Sequence, residues 1–315
     1  EHHYLALSGG GSNGAFGAGL LVGWSAAGTR PEFTIVTGIS TGAIMAPFAF
    51  LGKAYDAQLK EMYTKYSTTD LLVKYNILNA LTGSSAVDST PMRKMMAKYF
   101  NQQVMEAIAA EYKKGRRLYV ATTNIDAKRP VIWNLGLIAS SGRPDALELI
   151  QKTILASASI PGFFPLMLFE VEADGRRYDE IHVDGGAASQ VFLYPAALDW
   201  KYLLRQFEVK GIPKAYVVRN SRLKPDWTTV NPSLLQLTGV SITSLIRTQG
   251  IGDLDRIYLD CERDGIDFHL AYIPGDFDLK PSEEFDPVYM GKLFDLGHQL
   301  AKKGYPWEKA PPGFE

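Results

Sequence analysis

The sequence predicts an α/β protein whose adjacent strands run parallel, and two neighbouring segments carry that prediction. Residues 4–7 are a short apolar strand that runs into a glycine-rich turn and then a helix of small apolar residues ending near Ala27. Residues 34–39 are a second, β-branched strand, followed by Gly38-Ile39-Ser40-Thr41-Gly42 and another small-residue helix. Two successive βα units place both loops at the carboxyl ends of adjacent parallel strands, where open α/β sheets bind ligands. With 46% hydrophobic and 21% charged residues in a 315-residue chain, there is enough apolar surface for a substantial core.

Each loop has two readings. Gly9, Gly11 and Gly14 satisfy G-x-G-x-x-G between a strand and a helix, the pattern in which a helix N-terminus holds a dinucleotide pyrophosphate. That reading calls for an acidic residue at the end of the next strand. The strand ends instead in Gly38-Ile39-Ser40, and the nearby acid, Glu32, precedes it. The same run of glycines also exposes backbone N–H groups suited to a developing oxyanion. The second loop fits strand–G-x-S-x-G–helix, a turn that presents a serine hydroxyl at its apex for nucleophilic attack. Its plainer reading is a βα turn with Ser40 as helix N-cap.

Further along, residues 43–66 read as helix with a loop near Gly52, and residues 70–80 as a patchy amphipathic segment suited either to packing or to lipid contact. Asp88-Ser89-Thr90-Pro91 signals a helix start. Residues 92–114 then read as one long helix with methionines as core filler. Strands follow at 118–123 and 131–135, and a helix at 145–158 leads into the apolar stretch 156–165, which either lines an acyl pocket or caps the sheet. Asp174-Gly175 marks a hairpin, and Ile181-His182-Val183-Asp184-Gly185-Gly186 ends a strand in a carboxylate. Beyond it lie a strand at 215–218, helices at 234–247 and 253–263, a strand at 268–273 and a helix at 289–303. No repeat or linker divides residues 1–315, so one domain is expected.

Composition excludes several classes. Lys+Arg 33 against Asp+Glu 34 provides no basic field for nucleic acid. Cys261 is the sole cysteine, so neither an internal disulfide nor a cysteine zinc site is expected, and the five histidines are scattered. No apolar run reaches the length of a transmembrane helix. The chain opens almost directly in a strand, which reads as a chain trimmed to its folded domain and leaves an exported or lipid-anchored full-length form open.

Four stretches occur in the order found in patatin-like phospholipases, and over residues 8–186 the chain resembles that family. They are Ser8-Gly9-Gly10-Gly11, Gly38-Ile39-Ser40-Thr41-Gly42, the run from Ala158-Ser159-Ile160-Pro161 to Phe164-Pro165, and Asp184-Gly185-Gly186. The resemblance implies a three-layer α/β/α patatin-like fold with a mostly parallel central sheet. It implies a Ser40–Asp184 dyad, an oxyanion hole of backbone N–H groups from Gly9, Gly10, Gly11 and Thr41, and lipid acyl esters as substrates. No metal or organic cofactor is implied. Partners would be a phospholipid or other acyl-ester lipid, with peripheral contact to a membrane surface. One departure is Asn13, where the family's loop often has Arg or Lys.

The dyad is also sensible chemistry. A serine hydroxyl needs a positioned base, and a carboxylate of pKa about 3.9 is a weak one until desolvation raises it. The nearer rival is an α/β-hydrolase triad in the order Ser…Asp…His, for which His269 and His298 come late enough in the chain. His269 sits within a strand and His298 within a helix, where packing or surface roles are expected; His182 is expected to pack or hydrogen-bond. The expected activity is phospholipase A or lysophospholipase-like hydrolysis. The alternatives are a broad carboxylesterase, a nicotinamide- or flavin-binding oxidoreductase, and a catalytically silent lipid-binding protein.

Overall fold

The computed structural model describes residues 2–71, 73–74, 87–88, 90–160, 164, 166–194, 200–206, 210–224, 227, 229 and 234–314. In chain order, β1 (His3–Leu7) leads through a glycine loop to α1 (Gly14–Ala26), and β2 (Ile35–Ile39) turns directly into α2 (Thr41–Leu51). Next come α3 (Asp56–Thr64), α4 (Thr68–Leu71), the two-residue strands β3 (Val73–Lys74) and β4 (Val87–Asp88), α5 (Thr90–Tyr99) and α6 (Gln102–Lys113). The middle of the chain is β5 (Arg117–Asn124), β6 (Arg129–Asn134), α7 (Leu135–Ala139), α8 (Ala146–Ser157), β7 (Met167–Ala173) and β8 (Arg176–Asp184). It ends with α9 (Trp200–Gln206), β9 (Lys214–Arg219), α10 (Leu234–Asp264), β10 (Asp267–Tyr272) and α11 (Pro287–Lys302).

The central sheet has eight strands in the order β10-β9-β1-β2-β5-β8-β7, with β6 paired to β5. Strands β10, β9, β1, β2 and β5 are parallel neighbours, whereas β6, β8 and β7 add antiparallel pairs. Strand side chains alternate between faces. Leu5 and Leu7 of β1 join a core with α1, α2 and α11, while Tyr4 and Ala6 face Leu254, Ile257 and Cys261 of α10. The sheet is therefore covered on both sides, and its parallel strands read as unbroken apolar runs for that reason. The mixed, mostly parallel α/β architecture expected from the sequence is present.

Two helices differ from expectation. The helix expected over 92–114 is two, α5 and α6, because the Asn101 side chain accepts the Val104 N–H at 3.2 Å and starts a new helix. Met92, Met95 and Met96 are buried, as core filler should be. The helices expected over 234–247 and 253–263 are instead one, α10, which continues through Gly250 and Gly252. The expected hairpin forms β7–β8, and Asp174 (φ 51°) and Gly175 (φ 71°) supply its two left-handed turn residues.

The C-terminal third is fastened to the N-terminal helix by contact between backbones. A Cβ on Gly19 of α1 would overlap the Phe294 carbonyl of α11, and one on Gly297 would overlap the Phe16 carbonyl. At this crossing no side chain fits between the helices.

Candidate active site

The serine turn is built from its neighbours. Ser40 follows β2 directly and caps α2 with φ 55° and ψ −125°, a conformation that β-strand or helix backbone does not supply. Its N–H donates to Ser157 Oγ (3.1 Å), and that hydroxyl donates to the Ala121 carbonyl (2.6 Å). Gly42 is needed because a Cβ there would run into the Leu7 carbonyl. The far end of α2 is held by two buried arginines. Arg30 Nη2 donates to the Ala49 carbonyl (2.8 Å) and Arg116 Nη2 to that of Phe50, placing cations at the negative end of the helix.

The aspartate arrives by sheet topology. Strand β6 occupies one edge of β5 along residues 119–124, so β2 and β8 share the other. Ile39 pairs with Ala121 and Asp184 with Thr122, so the two carboxyl ends meet head to head along β5. Ser40 Oγ donates to Asp184 Oδ2 at 2.7 Å, and the other carboxylate oxygen accepts the Gly186 N–H at 2.6 Å. The Asp184 N–H donates to the Ser159 carbonyl (2.8 Å), and Thr123 Oγ1 donates to the Asp184 carbonyl (3.0 Å). Ser40 and Asp184 are both buried. Burial pushes the Asp184 carboxyl up to about 6, against the opposing effect of the hydrogen bonds from Ser40 and Gly186.

The glycine loop lies against this pair: a Cβ on Gly9 would stand 3.3 Å from Ser40 Cβ. The Gly9 N–H is spent on the Gln190 carbonyl (3.0 Å), whereas the N–H groups of Gly10, Gly11 and Thr41 donate to no described residue. Gly10 (φ 154°) passes so close to Asn220 that any Cβ would overlap its carbonyl. Asn220 in turn donates from its N–H to Ser8 Oγ (2.8 Å) and from Nδ2 to the Ser8 carbonyl (2.9 Å), and accepts the Gly17 N–H (3.1 Å). Asn13 accepts from Tyr289 OH (2.6 Å), so the loop is tied to α11 by a neutral hydrogen bond. On the other side, Asp253 of α10 accepts from Ser189 Oγ (2.9 Å) and the Gln190 N–H (2.6 Å), and Gln190 Nε2 donates to the Gly186 carbonyl (2.7 Å).

The histidines stand elsewhere. His182 is buried between Thr122 Oγ1 (2.8 Å) and Glu180 Oε2 (3.2 Å). His269 lies in β10, beside the Asp267 carbonyl (3.0 Å) and Lys309 Nζ (2.8 Å), and His298 stacks on Phe294. Among the described residues no group of three or more His, Cys, Asp or Glu is placed to hold a metal ion. Ala158, Ser159 and Phe164 are buried, while residues 161–163 and 165 of the same stretch lie outside the described residues. So does most of the amphipathic segment 70–80, including Leu72 and Ile77.

Sequence reasoning missed Ser157, Gln190, Asn220 and Asp253. Only Asn220 carried a signal: a polar residue just past an apolar parallel strand, at the carboxyl edge where loops converge.

A family model described as patatin-like phospholipase matches residues 5–197. Among solved structures, the crystal structure of VipD from Legionella pneumophila aligns with 96% of this chain and 67% of its own, at 12% identity and a TM-score of 0.40. No curated protein matches the chain by sequence.

Proposed function

The chain belongs to the patatin-like phospholipase family of lipid acyl hydrolases, and on that premise we propose that it cleaves fatty acyl esters of phospholipids or lysophospholipids through Ser40 and Asp184. The observation that carries the reading is the 2.7 Å hydrogen bond from the Ser40 hydroxyl to a buried carboxylate. As Ser40 Oγ attacks the ester carbonyl carbon, its proton passes to Asp184. The carbonyl oxygen becomes an oxyanion facing the uncommitted N–H groups of Gly10, Gly11 and Thr41, with Gly9 fixing the loop through Gln190. Asp184 returns the proton to the departing alcohol. It then takes a proton from the water that attacks the acyl-serine, releasing the fatty acid and restoring Ser40.

Contact with a lipid surface is part of the same reading. The described side chains Leu237, Val240, Leu245 and Ile246 of α10 are exposed, and Trp227 is 89% exposed. Apolar groups so placed favour insertion among acyl chains. No helix among the described residues is long and apolar enough to cross a membrane, and the contact proposed is peripheral.

Labelling with a fluorophosphonate tests the nucleophile. The expected result is one phosphonylated peptide containing Ser40, absent in Ser40→Ala. Labelling of a different serine would overturn the assignment, and no labelling with lipid binding retained would favour a silent lipid-binding protein.

A further inference from the structure

Among the described residues the side chains of Arg30, Arg116 and Arg219 are almost shut off from solvent, and the first two each face a carboxylate. Arg30 pairs with Asp56 at 2.9 Å and Arg116 with Glu111 at 2.8 Å, and both also cap carbonyls of α2. Arg219, the last residue of β9, is different. It is 4% exposed, its Nε donates to Ser221 Oγ (2.8 Å), and neither Nη1 nor Nη2 bonds to any described residue. Its guanidinium lies against α10, where a Cβ on Gly250 would stand 2.9 Å from Nη1 and 3.2 Å from Nη2. Less than one turn earlier on the same helix is Arg247, whose Nη2 donates to the Leu223 carbonyl (2.6 Å) while its buried Nε has no partner.

The two cations repel. The Arg219 pKa is lowered to about 10, first by burial and then by the Arg247 charge. Asp253 offsets part of the Arg219 charge, but its carboxylate is occupied by Ser189, the Gln190 N–H and Arg256. Arg219 therefore bonds to no carboxylate among the described residues, and a buried cation so placed beside a second cation is costly unless an anion joins them.

The position points to which anion. β9 and β2 flank β1, so Arg219 and Ser40 leave the sheet two strand spacings apart, about 10 Å. Gly9 and Gln190 fill the interval: a Cβ on Gly9 would be 3.2 Å from Gln190 Oε1, and one on Gly250 3.3 Å from Gln190 Cβ. We propose that Arg219 and Arg247 form a phosphate subsite that takes the phosphate of a glycerophosphate ester while its acyl carbonyl lies at Ser40. The assignment rests on the hydrolase reading for its substrate and on the unpaired arginines for its chemistry. A phosphodiester offers two non-bridging oxygens, one for each guanidinium, and its geometry suits arginine better than a point cation. Gly250 is the enabling residue, since a larger side chain would displace the Arg219 guanidinium.

Binding and turnover test it separately. By calorimetry, Ser40→Ala protein is titrated with glycerol 3-phosphate and with inorganic phosphate, alone and combined with Arg219→Gln or Arg247→Gln. Folding is checked by circular dichroism, and Arg247→Gln decides alone if Arg219→Gln does not fold. Glycerol 3-phosphate is expected to bind more tightly than inorganic phosphate and to weaken about tenfold or more in each variant. With Ser40 intact, the ratio of kcat/KM on a short-chain phosphatidylcholine to that on the matching diacylglycerol should fall by a similar factor, and Arg247→Lys should restore part of it. Unchanged binding and an unchanged ratio would overturn the subsite while leaving the hydrolase reading intact. Inorganic phosphate binding as tightly as glycerol 3-phosphate, with the ratio unmoved, would make it a free-phosphate site and overturn the substrate assignment. Arginine-dependent phosphate binding with no turnover of any ester by the wild type would remove the hydrolase reading instead.

Discussion

Ser40 is held in a conformation that costs of order 1–3 kcal/mol, and its surroundings must supply that energy. Ser157 is one source, since it satisfies the buried Ser40 N–H and anchors to β5. Ser157→Ala should lower stability by about 1–3 kcal/mol in denaturant unfolding, because it leaves a buried donor unpaired. Asp184 also opposes folding while it is charged. Its carboxyl is raised from 3.8 to about 6, so its contribution to stability is fully present below the unfolded value and is lost as pH rises through about 6. Above that the ionised group weighs against the fold by about 3 kcal/mol. Asp184→Asn is therefore expected to be more stable than the wild type at pH 8, with the advantage disappearing towards pH 4. An advantage that persisted at pH 4 would mean that charge burial is not its cause. That Ser40 and Asp184 come together was legible because each sits beside glycines at the end of an apolar strand. Ser157 was not, because a serine within an apolar helix carries no mark of its target.

At the level of elements, the site depends on how β5 divides its edge between β2 and β8. That division was invisible, because strand pairing is not written in either strand alone. The strands of the central sheet, the hairpin and the two βα turns were legible from apolar runs and glycine placement. The break between α5 and α6 was missed because Asn101 looks like an ordinary surface residue until its cap forms. The continuity of α10 was missed because Gly250 and Gly252 read as breakers, whereas Gly250 is where the helix accommodates Arg219. The α1–α11 crossing makes a direct prediction. Gly297→Ala places a methyl group against the Phe16 carbonyl and should cost about 1–3 kcal/mol or more by chemical denaturation. A neutral result would show that the helices can separate without loss.

Across the whole molecule, the C-terminal third carries no recognisable motif, yet it positions the loops around Ser40 and Asp184. Asp253 holds residues 189–190, Asn220 holds the glycine loop, and Tyr289 holds Asn13. Their roles arise from contacts across long sequence separations, and local pattern gives no access to these. The same region supplies the exposed apolar face of α10. Leu245, 69% exposed, has little to lose in folding, so Leu245→Glu should leave stability near the wild-type value. It should weaken binding to phosphatidylcholine vesicles about tenfold, the scale of one leucine kept out of an apolar phase. Unchanged sedimentation with vesicles would place the lipid contact on another surface.

The most direct test is the pH dependence of kcat/KM on a short-chain nitrophenyl ester for the wild type, Ser40→Ala, Asp184→Asn and His269→Ala. The wild-type rate should rise with pH through an apparent pKa near 6, as the Asp184 carboxyl loses its proton. Ser40→Ala and Asp184→Asn should each fall by about a thousandfold or more, and His269→Ala should keep both its rate and the same limb. A wild-type limb that survives in Asp184→Asn, or its loss in a folded His269→Ala, would contradict a mechanism in which Asp184 is the base for Ser40.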